Sequence, residues 1–445
     1  MAALEALPTE LVENIVTNLG LCDIRSLRLT CRTMEAKASG LSFTTFFGHK
    51  NIQLTATALQ NFVDVTGQCR LGCLLQDCTI TGIASNETTT ADETAEHIRL
   101  LADAFRNLKS RSPRGGLVSL TLGLVARVEA EGELMPLTDR RVSRAWHIVW
   151  DAAVRTFRVV MAALEKSQMS VGEHLSVFGG VAGCSLACDV FVAYARAFSS
   201  AHVFGSLKRL TMRLSAPYRA ESEPELERRP IAEGRYHLIT EPQDRHAQQV
   251  FRAVVQLSHA TRALEGLDLH WYNLGRYVSS VLPDFPEEDS TGTSSETMHI
   301  KSCILRGIFV SETNLLGFLQ TTRPEDLTLA DVSIIPGKID SILDFLNGQD
   351  SSVTSYHLKD IIQGCLLHFN VPGRSRIPYT SGSFGPSTLT RGASDAKEAV
   401  SYTRPRGRPL GSGGLYSWRR YKKEEYGPIQ CDGLMYIGQK YSFED

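Results

Sequence analysis

The chain has 445 residues, of which 42 % are hydrophobic and 22 % charged, with a net charge of −2. That is the composition of a globular protein large enough for about three folding units, each able to bury a core without disulfide staples. The near balance of 47 Lys/Arg against 49 Asp/Glu excludes a globally basic nucleic-acid binder, though not a local patch.

The first forty-odd residues read as a separate helical unit. Pro8 suits a first helical turn and Glu10 the positive end of its dipole. Leu11, Val12, Ile15, Val16 and Leu19 share one helical face, and Gly20 is a natural stop. Asp23 is a candidate N-cap for a second helix bearing Ile24, Leu27 and Cys31. A third runs from Met34 to Ser39. Three helices this short cannot enclose so many aliphatic side chains, so some of them are expected to await another chain.

The ordered string Leu7-Pro8-x-Glu10-Leu11-x3-Ile15-x3-Leu19-x3-Asp23-Ile24-x2-Leu27-x-Leu29-Thr30-Cys31-Arg32 resembles an F-box, in a Leu-Thr-Cys-Arg form. It departs from the family where a Trp commonly follows Cys-Arg, since Thr33 and Met34 stand there. The resemblance covers the N-terminal tenth of the chain. It implies docking to the Skp-family adaptor of a cullin–RING ubiquitin ligase through Leu7, Pro8, Leu11, Ile15, Leu19, Ile24 and Leu27. The rest of the chain would then choose the target. Periodicity alone leaves open a helical hairpin packed on its own domain.

Beyond residue 45 strand-like and helix-like runs alternate. Apolar runs at Leu71–Leu75, Leu117–Leu122, Leu175–Phe178, Leu207–Leu214, Leu264–Leu269, Ile300–Leu305 and Leu327–Leu329 predict strands. Helical spacing appears at Ile98–Leu108 and near 146–168, 187–199, 244–260, 312–321 and 337–347. Several strands carry the rhythm L-x-x-L-x-L, as in Leu264-Glu-Gly-Leu267-Asp-Leu269. The expected fold class is therefore α/β: an N-terminal three-helix F-box (1–45), then an irregular leucine-rich-repeat-like α/β solenoid (46–370). A compact α/β domain is the alternative, because strand spacing is irregular. Polar, Pro-broken stretches at 215–243 and 281–298 read as surface insertions.

From 371 onward Gly, Ser, Pro and Arg dominate, predicting a largely disordered basic tail (371–445). Residues 371–430 hold eleven Lys/Arg against four Asp/Glu, a surplus of seven, which leaves −9 for the remainder. Within it, Arg404 and Pro405-Arg406-Gly407-Arg408-Pro409 resemble an AT-hook, whose extended Arg-Gly-Arg fits a narrow minor groove. Arg404, Arg406, Gly407 and Arg408 are thus candidate DNA contacts, and a flexible basic tail or nuclear-import patch is the plainer reading. A final apolar run, Leu434–Ile437, could return to the body as a strand.

Catalytic signatures are missing: there is no P-loop, G-x-G-x-x-G, H-E-x-x-H or G-x-S-x-G elbow on a strand–helix turn. Ser383 sits in a Gly-rich stretch of the tail, where nothing would position a base. His270, beside Trp271 and Tyr272 at a strand end, is the most suggestive histidine. Cys69, Cys73 and Cys78 lack a fourth zinc ligand at a workable spacing, and Cys184 with Cys188 could join only through tertiary contact. The ten cysteines, several in apolar runs, read as buried thiols of an intracellular protein, cytoplasmic or nuclear. No membrane partner, catalytic residue, metal or cofactor is expected. The sequence thus predicts a noncatalytic substrate adaptor. Two alternatives are an AT-rich DNA-binding or chromatin-associated protein acting through its tail, and an F-box scaffold outside a ligase.

Overall fold

In the computed structural model the described residues are 4–68, 71–85, 89–127, 134–137, 146–197, 203–216, 237–261, 263–272, 298–363, 365–373 and 384–404. Four short helices open the chain: α1 (Thr9–Val16), α2 (Leu21–Arg28), α3 (Arg32–Lys37) and α4 (Leu41–Thr45). Their common core is Val12, Val16, Ile24, Met34, Ala38 and Phe43. Pro8 accepts the first helical bonds, from Leu11 and Val12 N–H. The first helix ends at Val16, earlier than its apolar spacing predicts, and Gly20 stands before α2 as its N-cap, with Asp23 inside the first turn. The third helix forms without the family's Trp. Cys31 caps it, its sulfur accepting from Met34 N–H at 3.4 Å, and buried Met34 fills the core. Lys37 Nζ ties the unit's entrance down by donating to the carbonyls of Glu5 and Leu7 at 2.7 and 2.6 Å.

The remainder is built on one large sheet whose principal strands are β1 (His49–Gln53), β2 (Asp77–Ala84), β3 (Gly116–Arg127), β4 (Ser170–Val177), β5 (Arg209–Ser215), β6 (Gly266–Trp271), β7 (Ser302–Arg306), β8 (Asp326–Ala330), β9 (Ser355–Lys359) and β10 (Thr388–Gly392). Their order in the sheet is their order in the chain. Every neighbouring pair is parallel except β9–β10, which is antiparallel. A parallel pair needs a crossover, and helices supply most of them: α5 (Ala56–Gln68), α6 (Ala91–Arg111), α7 (Trp146–Ser167), α8 (Cys188–Ala197), α9 (His237–Thr261), α10 (Glu312–Thr322) and α11 (Asp340–Asn347). The entry to α6 is a capping box: Thr90 Oγ1 accepts from Glu93 N–H at 3.2 Å, and Glu93 Oε2 accepts from Thr90 N–H at 2.8 Å.

Alternation within the interior strands divides the sheet. Ile80, Leu120, Leu122, Leu210, Met212, Leu267, Leu269, Cys303, Leu305, Leu327, Leu329 and Leu358 are buried in one core with the helices. The intervening residues, among them Asn51, Thr79, Thr121, Arg209, Asp268 and Thr328, are mostly polar and face the other way, with Ile304 an apolar exception. Several strands end on a residue in the left-handed region: Phe178, Gly307, Asp331 and Asp360 have φ between 54° and 69°. After two of these turns the chain forms a second, short parallel ladder, Phe309–Val310 beside Ser333–Ile334.

Two expectations change. Leu71–Leu75 is no strand: Gly72–Leu74 is a single 3-10 turn with Cys73 buried, and the strand follows at Asp77. The basic tail expected from 371 holds structure as far as Thr403. Leu389 and Ala396 join the main core, and Tyr402–Thr403 pairs with His368–Phe369, because these apolar side chains close the sheet's last edge. Arg406, Gly407, Arg408, Ser383, Cys69, Leu434–Ile437 and most of the insertions at 215–243 and 281–298 lie outside the described residues.

Candidate partner-binding surfaces

Helix α1 is apolar on two sides. Val12 and Val16 point into the small core, whereas Leu11 is 49 % and Ile15 37 % exposed. An isolated surface helix needs only one apolar stripe, and nothing among the described residues covers the second. Pro8 is exposed on the turn before, and Leu7, Leu19 and Leu27 are half-buried at the margin of the core. Ile24 is a correction: it is wholly buried among Val12, Val16 and Met34 and presents nothing to a partner. Sequence reasoning passed over Leu29, which is 86 % exposed at the C-cap of α2, and Phe46, exposed after α4. Their signal was present, in apolar residues placed just past a helix end where no core position calls for them.

The unit is anchored to the sheet. Phe47 and Leu71 pack against its core, and the Gly48 carbonyl accepts from Gln76 and Asp77 N–H at 2.9 and 2.8 Å. Chain entry into β1 is therefore fixed by side chains and backbone together.

The polar face of the sheet is a ladder of cross-strand pairs. Thr81 Oγ1 donates to Asn51 Oδ1 at 2.7 Å, and His49 Nδ1 lies 3.0 Å from Asp77. His174 Nε2 is 3.0 Å from Thr211 Oγ1, and Arg306 Nη2 donates to Asp268 Oδ2 at 3.0 Å. His357 Nδ1 meets Thr390 Oγ1 at 2.8 Å. Burial and the neighbouring Arg209 lower the His174 pKa and so favour its neutral form. Burial raises the Asp268 carboxyl, opposed by Arg306, Arg213 and Arg209.

Other sequence candidates are placed as follows. His270 is 8 % exposed, its ring edge-on to Tyr272 at 6.4 Å, and it borders a small apolar pocket with Leu214, Leu269 and Phe251. Cys73, Cys78, Cys184 and Cys188 are buried, and burial pushes the Cys78 thiol up to about 12 and raises Cys184 and Cys188. Such thiols remain protonated and are poor ligands or nucleophiles. Among the described residues no group of three or more His, Cys, Asp or Glu could hold a metal, and no helix is long and apolar enough to cross a membrane. Arg404 is exposed directly after the last short strand.

No curated protein is matched by the chain. Residues 4–46, the four-helix unit with its doubly apolar first helix, match the family model of the F-box domain. The chain thus carries an F-box domain at residues 4–46, with a large, mainly parallel α/β sheet behind it.

Proposed function

We propose that the protein is a noncatalytic substrate-recognition subunit of a Skp–cullin–F-box ubiquitin ligase. The observation that carries this reading is the second apolar stripe of α1. Leu11 and Ile15, with Pro8 before them and Leu7, Leu19 and Leu27 at the margin, form the surface for a Skp-family adaptor. Covering large aliphatic side chains contributes about 1.5–3 kcal/mol each, enough to offset the cost of association when several are buried together.

The strand–helix units behind it, stacked in chain order, act as a leucine-rich-repeat-like solenoid whose polar face receives the target. The contribution to ubiquitin transfer is positional. A target held on a sheet that is itself fixed to the F-box through Phe47 and Leu71 reacts at high effective concentration, with no covalent chemistry by this chain.

The test is co-purification of the full chain with a recombinant Skp-family adaptor. The double change Leu11→Asp with Ile15→Asp abolishes adaptor binding and leaves the circular dichroism spectrum unaltered, since both side chains face solvent. Undiminished binding by that variant removes the assigned interface.

A further inference from the structure

The polar face is not uniformly charged. On the four central strands β4–β7, Arg209, Arg213 and Arg306 stand against two carboxylates, Asp268 and the exposed Glu173, and Glu173 is taken up by Lys208 at 3.6 Å. Arg213 and Arg306 occupy the same row across β5 and β7, with His270 between them, and Asp268 lies one row away beside Thr211. The groups sense one another: Arg306, Arg213 and Arg209 all act on the Asp268 carboxyl. Only Arg306 reaches it as an ion pair, at 3.0 Å. The Arg213 guanidinium lies 5.5 Å from the Tyr272 ring centroid and donates from Nη1 to the Val181 carbonyl at 2.5 Å, which fixes its orientation. Two buried polar atoms at this place, Arg213 Nε and Asp268 Oδ1, have no hydrogen-bond partner among the described residues. Arginines in excess of carboxylates, in a partly dehydrated setting, form a receptor for anions.

Building on the adaptor reading above, we propose that the β4–β7 face is the docking site for an acidic peptide segment of the target protein, its carboxylates seated on Arg209, Arg213 and Arg306. The target of such an adaptor is a protein, and its side-chain carboxylates serve the arginines, of which Arg209 is exposed and Arg213 and Arg306 are half-buried.

The experiment uses the full chain and a fluorescein-labelled oligoglutamate decapeptide, followed by anisotropy at low and moderate salt. Oligolysine and oligothymidylate of equal length are the comparison probes. The expected result is salt-sensitive oligoglutamate binding that Arg209→Glu weakens about tenfold or more and Arg209→Lys largely restores. Arg252→Glu, the same charge change on exposed α9, leaves binding intact. Equal weakening by Arg252→Glu, or no effect of Arg209→Glu, assigns the affinity to a diffuse field or to the basic C-terminal residues and overturns the proposal. Tighter binding of oligothymidylate than of oligoglutamate also overturns it, in favour of a nucleic-acid surface. The two proposals fail separately: Arg209→Glu keeps the Skp-family adaptor, and Leu11→Asp with Ile15→Asp keeps the oligoglutamate.

Discussion

His246, on α9, is 3 % exposed, and its Nδ1 has no hydrogen-bond partner among the described residues. Burial, helped by neighbouring Arg245, lowers its pKa from 6.5 to about 4. The imidazole is therefore neutral in the folded protein and takes up a proton more readily once unfolded. Its contribution is fully present above pH 6.5 and is lost as the pH falls toward 4, by up to about 3 kcal/mol. Urea midpoints measured from pH 7 to 4 should drop for the wild type and drop less for His246→Leu. Lys397 has the opposite character, a buried-stem cation whose Nζ donates to the carbonyls of Leu346, Gly348 and Ser351 at 3.2, 2.9 and 3.1 Å. It closes the C-terminus of α11, and Lys397→Met should cost about 1–3 kcal/mol by urea denaturation. At this scale the partner surface was legible only in part. Helical spacing finds every apolar stripe of α1 and α2, but it cannot say which stripe the unit's own core consumes, and so Ile24 and Leu11 look alike in the sequence.

Among the elements, β2 and α7 approach each other closely. A Cβ on Gly82 would stand 1.9 Å from Thr156 Oγ1 and 2.8 Å from Leu124 Cδ1, so the helix lies directly on the strand. Gly82→Ala should therefore destabilise by about 1–3 kcal/mol, read as a lowered urea midpoint with an unchanged slope. Helices with long periodic faces were read closely, and the expectation at 146–168 became Trp146–Ser167. The interior strands β3 to β8 announced themselves through pairs such as Leu267 and Leu269, whereas β2 and β9, also interior, were not expected. The outer strands did not, for a physical reason. In His49–Gln53 only Ile52 is buried, and in Thr388–Gly392 only Leu389, so an edge strand shows no alternation to detect. The run Leu71–Leu75 misled because its leucines serve two bodies: Leu75 enters the sheet core while Leu71 packs on the F-box.

Over the whole molecule, the antiparallel β10 is the outermost strand of the described sheet. It covers β9, and a cut after residue 383 would bare both the backbone of that strand and the apolar seat of Leu389 and Ala396. Such a truncation should aggregate in size-exclusion chromatography, whereas one ending at residue 404 should elute as a folded monomer or in the oligomeric state of the full chain. Composition alone set the boundary at 371, because Gly, Ser and Arg dominate the sequence around one short strand. Each principal strand hydrogen-bonds to the strand synthesised just before it and to the one synthesised just after. A nascent chain leaving the ribosome can therefore lay down its layers one at a time on a seed already formed, with no need to wait for a distant segment to arrive. The growing edge stays sticky until β10, entering in reverse, lies down on it.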